Sequence, residues 1–188
     1  MTHLDVATLN LRNIADRWPE RLPLLLADMA ALQPDLLGVQ ECVFAVEQDR
    51  LLGAAGKGRY EIHRGWAGRP EYGNGILIRE PLRAAPGPPE RLELGRNRSA
   101  LRVVVTGSGS SAVAVVVTHL HHIPADEDAR EEQAQALVAW LAARPAPGGT
   151  IVFGDFNAEP VEATYRVMVE AGFRSAHAEA NGAEPDMT

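Results

Sequence analysis

The sequence predicts an α/β protein, and three features of its apolar pattern support that class. Residues 19–32 have the spacing of an amphipathic helix and lead into a short, wholly apolar run at residues 36–39. Two runs rich in β-branched residues, 99–106 and 112–118, predict an antiparallel hairpin. A second helical pattern follows at residues 128–143. Helices that alternate with buried strands are typical of α/β folds.

Composition limits the kind of protein. A chain of 188 residues with 46% hydrophobic residues can build one substantial core, so a single domain over residues 1–188 is expected. The net charge of -7 argues against a broad basic surface for nucleic acid. The single cysteine, Cys42, can form neither an internal disulfide nor a cysteine-rich zinc site. With no signal peptide visible and no apolar run of membrane-spanning length, we expect a cytoplasmic protein.

The first elements are a strand, a helix and a second strand. Residues 4–11 alternate, so this strand carries Asn10 near its end. The helix over residues 19–32 has Asp16 as its expected N-cap, and the apolar run after it closes in Glu41. The apolar face of the helix is predicted to contain Leu22, Leu25, Leu26, Met29 and Leu32.

The middle of the chain predicts shorter elements. A helix is expected at residues 43–53 and a strand at 60–63, and a clearer strand at 73–78 is entered through a glycine-rich turn. Residues 80–97 are rich in Pro, Gly and Arg and are predicted to form the longest irregular region. Such loops often border binding sites.

The last part of the chain returns to alternation of helix and strand. Residues 118–122, Thr-His-Leu-His-His, follow the hairpin into a loop. The helix at 128–143 presents Ala134, Leu137, Val138 and Leu141 on one face, and the next apolar run is a buried strand. A helix at about 162–171 follows, and the last sixteen residues show no clear pattern.

Polar residues stand at the ends of most of these strands. Alternation places Asp155 and Asn157 on one strand face and Phe156 on the other. Taken singly, each polar residue is more simply a cap, a solvated loop residue or a turn former. Gathered at one edge of a sheet, carboxylates, carboxamides and an imidazole would suit a hard cation and a phosphate bound to it. The set comprises Asn10, Glu41, Asn74, His119, Asp155 and Asn157.

The order and spacing of these motifs resemble the endonuclease/exonuclease/phosphatase superfamily, the metal-dependent phosphoesterases related to DNase I. Any one motif is weak, whereas five in order, with helices between them, cover nearly the whole chain. The resemblance implies a four-layer α/β/β/α sandwich of two mainly antiparallel sheets, with the active site at one edge. The motifs are Asn10, Gln40-Glu41, Gly73-Asn74-Gly75, Thr118-His119-Leu120 and Gly154-Asp155-Phe156-Asn157.

The resemblance also implies a role for each site residue. Glu41 would hold Mg²⁺ or Mn²⁺, with Asn10 beside it as a ligand or phosphate contact. Asp155 would orient or deprotonate the attacking water. The remaining residues would contact the phosphate: Asn157 and His119 as donors to its non-bridging oxygens, Asn74 directly, and Arg98 as an added cation, although a solvated strand-end arginine is the simpler interpretation of Arg98.

Two departures from the family pattern stand out. Many members have an acidic residue where this chain has His121, so His121 and His122 are either substrate-side residues or ordinary loop residues. The family's carboxy-terminal Asp-His pair is not found before Thr188, and no Asp directly precedes His177, the last histidine. The expectation is therefore a fragment of a longer enzyme or a shortened protein with an impaired site, prone to self-association through open strand edges.

These observations favour a divalent-metal-dependent hydrolase of phosphodiester or other phosphoester bonds. The alternative is a catalytically silent relic that keeps the fold and a metal or phosphate pocket, and a third interpretation is a plain α/β domain whose polar strand ends are turns. The acidic charge balance favours small phosphodiesters, phosphorylated lipid headgroups or inositol phosphates as substrates, although family members with acidic surfaces also cleave DNA.

Overall fold

The computed structural model describes residues 3–57, 59–107 and 111–185 and contains two β-sheets. The first sheet has the strand order β1-β2-β4-β3. Strand β1 runs parallel to β2, whereas β4 is antiparallel to both of its neighbours. The bounds are Val6–Asn10 for β1, Leu36–Val43 for β2, Tyr60–Gly65 for β3 and Tyr72–Arg79 for β4.

The second sheet has the order β5-β7-β8-β9, and β6 also pairs with β7. Strands β8 and β9 are parallel, and the other pairs are antiparallel. The predicted hairpin is present as β7 and β8, while residues 108–110 of its connection lie outside the described residues. The bounds are Arg83–Ala84 for β5, Glu90–Gly95 for β6, Arg98–Thr106 for β7, Val113–His119 for β8 and Thr150–Asp155 for β9.

Helices cover the outer face of each sheet. Met29 and Leu52 pack from helices α1 and α2 onto the first sheet, and Leu137 and Met168 pack from α3 and α4 onto the second. The structure is therefore the α/β/β/α sandwich that the resemblance implied. The helices are α1, Trp18–Leu32; α2, Gln48–Ala55; α3, Glu127–Ala142; α4, Ala163–Glu170; and α5, Ala176–Asn181, with a short 3-10 helix at Phe44–Val46.

The principal core lies between the two sheets. Its side chains are mostly β-branched or Leu, which suits the facing pleated surfaces of a sandwich. Phe153 of β9 crosses this layer to the backbone of Gly38 in β2, where a Cβ atom would lie 2.0 Å from its ring. Glycine at position 38 therefore makes room for the aromatic ring. The core includes Leu36, Ile76, Ile78, Leu101, Val103, Val115 and Val117.

Two regions expected to be irregular contain regular structure. The prediction for residues 80–97 is wrong, because β5 and β6 lie there, and Leu92 and Leu94 of β6 alternate inward onto the core under α3 and α4. The last residues contain α5, which begins at the N-cap Ser175, whose hydroxyl accepts from the backbone N–H of Ala178 at 3.2 Å. Neither element is long enough to give a strong periodic signal.

The start of α1 and one residue of its face differ from expectation. Asp16 does not cap the helix; the N-cap position is Arg17, which has a left-handed backbone and makes no side-chain capping bond. Arg21 instead donates to the backbone carbonyls of Leu11, Ala15 and Asp16. These bonds hold the loop between β1 and α1 in a conformation in which Asp16 does not cap the helix. Leu32 was expected on the apolar face but is 70% exposed, because it lies in the last turn beyond the edge of the core.

The glycines near Asn74 lie within a strand and not in a turn before it. Gly73 and Gly75 are both part of β4. A Cβ atom at Gly73 would lie 2.1 Å from the carbonyl oxygen of Gly65 on the neighbouring strand, so no side chain fits there. Gly73 therefore allows a close approach of two backbones beside the predicted site, and Gly75 leaves room for the side chain of Val39.

The edge strands β1 and β9 lie on the same side of the sandwich. Within the described residues, β1 pairs only with β2 and β9 only with β8. A groove of about 1010 Å³ runs along these two strands and reaches Asn10, Asp155 and Asn157 at one end. Among the described residues, no helix combines the length and apolar character that crossing a bilayer requires.

Candidate active site

Polar side chains from the ends of three strands meet across the two sheets. Asn10 ends β1, Glu41 lies near the end of β2, and Asp155 ends β9. The amide nitrogen of Asn10 donates to Glu41 Oε1 at 3.2 Å and to Asp155 Oδ2 at 2.8 Å. One carboxamide therefore bridges two carboxylates that are 114 positions apart in the chain.

Glu41 receives a second carboxamide donor from Asn13. The side-chain nitrogen of Asn13 lies 3.2 Å from Glu41 Oε2, so each carboxylate oxygen accepts one amide N–H. The backbone N–H of Asn13 also donates to the carbonyl oxygen of Glu41 at 3.2 Å. These bonds fix the direction in which the Glu41 carboxylate points.

Asp155 and Asn157 are joined by a local turn. The backbone N–H of Asn157 donates to Asp155 Oδ1 at 3.0 Å, the pattern of an Asx turn, and its side-chain nitrogen donates to the carbonyl of Leu120 at 3.1 Å. The strand ends at Asp155, so the predicted alternation does not continue to Asn157. Phe156 packs on the α3 and α4 side of the second sheet, away from the Asp155 carboxylate.

A guanidinium group lies between two imidazoles next to these carboxylates. Arg98 Nη1 is 3.1 Å from His119 Nδ1, and Arg98 Nη2 is 2.9 Å from His122 Nδ1. Because a guanidinium can only donate, both Nδ1 atoms accept, and the proton of each neutral ring is on Nε2. His119 Nε2 lies 3.9 Å from Asp155 Oδ2, which places a donor beside that carboxylate.

Burial sets the protonation states of this group. Desolvation first, and the charge of Arg98 second, lower the pKa of His119 to about 4, so its ring is neutral near pH 7. Burial also lowers the pKa of Arg98, whose positive charge has no carboxylate within ion-pair distance among the described residues. Burial and then the Glu41 carboxylate raise the pKa of Tyr72, which stays a neutral phenol. A half-buried cation with no direct ion-pair partner among the described residues suits a bound anion.

The depressed pKa of His119 predicts how stability depends on pH. Between pH 6.5 and about 4, the unfolded chain takes up a proton that the folded protein excludes, so the free energy of unfolding should fall as pH decreases. The full effect is about 3 kcal/mol. Urea titrations in EDTA at pH 7 and at pH 4.5 give the free energy of unfolding at each pH. We expect His119→Gln to remove the contribution of His119 to the difference between the two values. His177→Gln, the same substitution at an exposed position, is the control.

Asn74 is placed beside the pocket but is already bonded within the fold. Its side chain is only 4% exposed, and its nitrogen donates to the carbonyl of Ser99 at 2.9 Å. This bond joins β4 of the first sheet to β7 of the second. Its predicted contact with a phosphate therefore stays a prediction. The pocket wall around it also includes Glu41, Tyr72, Arg98 and His119.

Sequence reasoning missed two neighbours of the site. Asn13 follows Asn10 by three residues, and Tyr72 directly precedes the Gly-Asn-Gly motif, so proximity to predicted residues was the only available signal. His121, where the family often has an acidic residue, instead pairs with Asp126 at 2.8 Å. His122 contacts Arg98 and also lines the groove.

Several residues at and beside the site have a left-handed backbone conformation. Glu41 has a φ of 52°, Asn13 of 47° and Asn157 of 50°. The turn between β6 and β7 adds Arg96 and Asn97, with φ values of 50° and 58°. Residues other than glycine pay a conformational cost of about 1 kcal/mol or more in this region, and such residues cluster at functional sites.

The donor set can accommodate a hard divalent cation. Over residues 3–57, 59–107 and 111–185, no group of three or more His, Cys, Asp or Glu side chains is suited to hold a metal. Mg²⁺, however, is usually held by one or two carboxylates together with waters and substrate phosphate. Glu41 supplies such a carboxylate, and the N–H groups of Asn10 and Asn13 now offset its charge. As a ligand, Asn10 would have to turn its oxygen, which accepts from the N–H of Arg12, toward the cation.

A family model matches most of the chain. The model described as the endonuclease/exonuclease/phosphatase family matches residues 7–186. No curated protein sequence gives a significant match.

Solved structures match this fold over nearly its full length. The catalytic domain of human Nocturnin with bound sulfate is 24% identical, with a TM-score of 0.76 over 90% of this chain and 70% of that one. Humanized D. rerio TDP2 is 18% identical, with a TM-score of 0.74 over 96% and 73%. The Bacteroides thetaiotaomicron mannosyl-6-phosphatase Bt3783 is 21% identical, with a TM-score of 0.74 over 90% and 71%. At these identities, the likeness establishes the fold that these proteins share.

Proposed function

The chain belongs to the endonuclease/exonuclease/phosphatase family, and we propose that it is a divalent-metal-dependent hydrolase of phosphoester bonds. The observation that carries the proposal is the amide group of Asn10, which lies between the carboxylates of Glu41 and Asp155. Two carboxylates that share one neutral amide donor form a place for a cation. Arg98 and His119 add an anion-binding group directly beside them.

Glu41 is the residue assigned to hold Mg²⁺ or Mn²⁺, with Asn10 next to it. The metal, when bound, would offset the negative charge that develops on the phosphate oxygens. The chain itself keeps Glu41 in place through Asn10 and Asn13, one on each carboxylate oxygen. Mg²⁺ and Mn²⁺ both prefer oxygen ligands, so this site accepts either ion.

Asp155 is assigned to the attacking water. A bond forms between the water oxygen and phosphorus while the bond from phosphorus to the leaving oxygen breaks, and one water proton passes to Asp155. The leaving oxygen keeps the electron pair of the broken bond and takes a proton from solvent. Oδ1 and Oδ2 each already accept one N–H, from Asn157 and Asn10, which holds the carboxylate in one orientation. Each oxygen retains a second lone pair for the water.

The remaining residues stabilise the phosphate. His119 Nε2–H and the second amide hydrogen of Asn157 donate to non-bridging oxygens as their charge grows. Arg98 places its guanidinium charge behind His119 and supplies further N–H donors. Asn74 would reach the phosphate only with the part of its amide that Ser99 does not use.

We propose small phosphoesters, including phosphorylated lipid headgroups, as the substrate class. The support is the net charge of -7, which disfavours a long polyanion. One similar structure is named a mannosyl-6-phosphatase, and that name supports a small phosphoester as the substrate of this chain. Cleavage of nucleic acid through local contacts is the competing outcome of the substrate test.

The test is hydrolysis of bis(4-nitrophenyl) phosphate and 4-nitrophenyl phosphate with Mg²⁺, Mn²⁺ or EDTA. We expect turnover that depends on the metal, is abolished by EDTA and exceeds the cleavage of a single-stranded DNA oligonucleotide. A folded protein that binds Mn²⁺ but hydrolyses neither ester nor DNA would identify a silent relic and overturn the proposal. Turnover that survives EDTA would also overturn it.

A further inference from the structure

A buried carboxamide outside the proposed catalytic set connects the segment that carries Glu41 to the loop that carries Asn13. Gln48 is the first residue of α2 and is 0% exposed. Its Oε1 accepts from the backbone N–H of Val43 at 2.7 Å, and its Nε2 donates to the backbone carbonyl of Asn13 at 2.8 Å. Gln48 therefore joins the end of β2 to the loop that follows β1.

Both joined segments have backbones that need external support. Asn13 and Glu41 each adopt a left-handed conformation, and the backbone N–H of Asn13 reaches the carbonyl of Glu41 at 3.2 Å, near the upper end of the normal range. Non-glycine residues keep such conformations only where the surroundings determine them. The bond from Gln48 acts directly on the peptide that follows Asn13.

The local bonds then transmit this restraint to the carboxylate. Asn13 Oδ1 accepts from the N–H of Ala15 at 2.7 Å, which fixes the side chain relative to its own loop. With the loop and the carboxamide both fixed, Asn13 Nδ2 meets Glu41 Oε2. A displacement of the loop by one ångström would break this bond, which is already 3.2 Å long.

We propose that Gln48 is a positioning residue that holds Asn13, and through it the Glu41 carboxylate, in the orientation needed for a metal. Partners outside the ligand set that orient a metal-binding side chain typically change metal affinity by about 10- to 100-fold when removed. The metal readout of this proposal rests on the proposed role of Glu41. Hydrogen exchange at the backbone N–H of Asn13 does not depend on the role of Glu41.

The test compares Gln48→Met with Gln133→Met. Gln133 is a second buried carboxamide that also joins two backbone segments, through the N–H of His121 and the carbonyl of Leu94, but on the other sheet. Both variants should lower the melting temperature. Only Gln48→Met should weaken Mn²⁺ binding, by about tenfold or more. Only Gln48→Met should also speed hydrogen exchange at the backbone N–H of Asn13 in the metal-free protein.

Asn13→Gly tests the role of the Asn13 side chain apart from that of its backbone conformation. This variant keeps the test decisive if Gln48→Met does not fold. Glycine accepts the left-handed conformation of Asn13 without strain, so folding should be retained while the donor to Glu41 is lost. We expect a similar loss of Mn²⁺ affinity, and no further loss when both changes are combined. Unchanged affinity in Asn13→Gly, or equal Asn13 exchange rates in the two glutamine variants, would overturn the proposal.

If Glu41→Gln leaves Mn²⁺ binding intact, the metal site itself is wrong and the affinity data lose their meaning for Gln48. The exchange rate of the Asn13 amide in metal-free protein then decides on the positioning role alone. Faster exchange in Gln48→Met than in Gln133→Met would still support it, and equal rates would reject it.

Discussion

Asp155→Asn should reduce turnover of a phosphoester by about a hundredfold or more while leaving the protein folded. The variant keeps the size of the side chain but cannot take the proton of the attacking water. The asparagine at position 155 has one amide oxygen, which can still accept either the backbone N–H of Asn157 or the side-chain N–H of Asn10. Initial rates with bis(4-nitrophenyl) phosphate at saturating Mn²⁺ measure the effect.

Phe156→Ala is the matched control for this change, one residue along the chain. The ring of Phe156 packs with the core under α3 and α4, so its loss should lower the melting temperature. At a temperature below the melting point of both variants, Phe156→Ala should retain turnover close to that of the wild type. Near-normal activity in Asp155→Asn, or a thermally neutral Phe156→Ala combined with an unfolded Asp155→Asn, would refute the assignment of these two residues.

Glu41→Gln should weaken Mn²⁺ binding by more than about a hundredfold, the upper range for residues outside the ligand set. Glutamine preserves the shape of the side chain but removes the charge that a hard cation requires. Folding should change little, because the one amide oxygen of glutamine still accepts from Asn10 or from Asn13. Calorimetric titration with Mn²⁺, with a thermal melt of the same sample, gives both quantities.

Glu47→Gln provides the control for Glu41→Gln. Glu47 also has a left-handed backbone, with a φ of 56°, but it lies on the surface and forms an ion pair with Arg50. Loss of its charge should leave Mn²⁺ affinity unchanged. If the two variants bound Mn²⁺ equally well, Glu41 would not be a metal ligand.

The sequence was informative wherever apolar periodicity extended over enough residues. Helices α1 and α3 and strands β7 and β8 have long patterns and lie where the sequence predicted them. Strand β6 has only two inward residues, Leu92 and Leu94, among charged neighbours, so its period was too short to detect. Helix α5 has Ser175 at its start and Gly182 at its end, but its six residues bury no side chain and thus give no periodic signal.

The site was predictable in its strand-end residues and unpredictable in its supports. Asn10, Glu41 and Asp155 each follow an apolar run. Parallel pairing places Asn10 beside the end of β2 and His119 beside Asp155, and the packing of the two sheets brings Asn10 to Asp155. The residues that position the site depend on tertiary contacts. Gln48 bonds Asn13, which is 35 positions away in the chain. Arg21 bonds the carbonyl of Asp16, so that Asp16 does not cap α1 as expected. Local sequence does not contain that information, since a buried glutamine and an exposed one look alike.

The left-handed residues around the site affect which substitutions the chain can tolerate. At Asn13 and Asn157, the backbone favours glycine or asparagine, whereas the hydrogen bonds require a carboxamide of that length. Glycine meets only the first demand, and glutamine has a carboxamide but on a longer side chain, so asparagine is the residue that meets both. In a saturation mutagenesis experiment scored by phosphoester hydrolysis, these two positions should accept almost no replacement. Lys57, also left-handed but exposed and away from the carboxylates, should accept glycine freely.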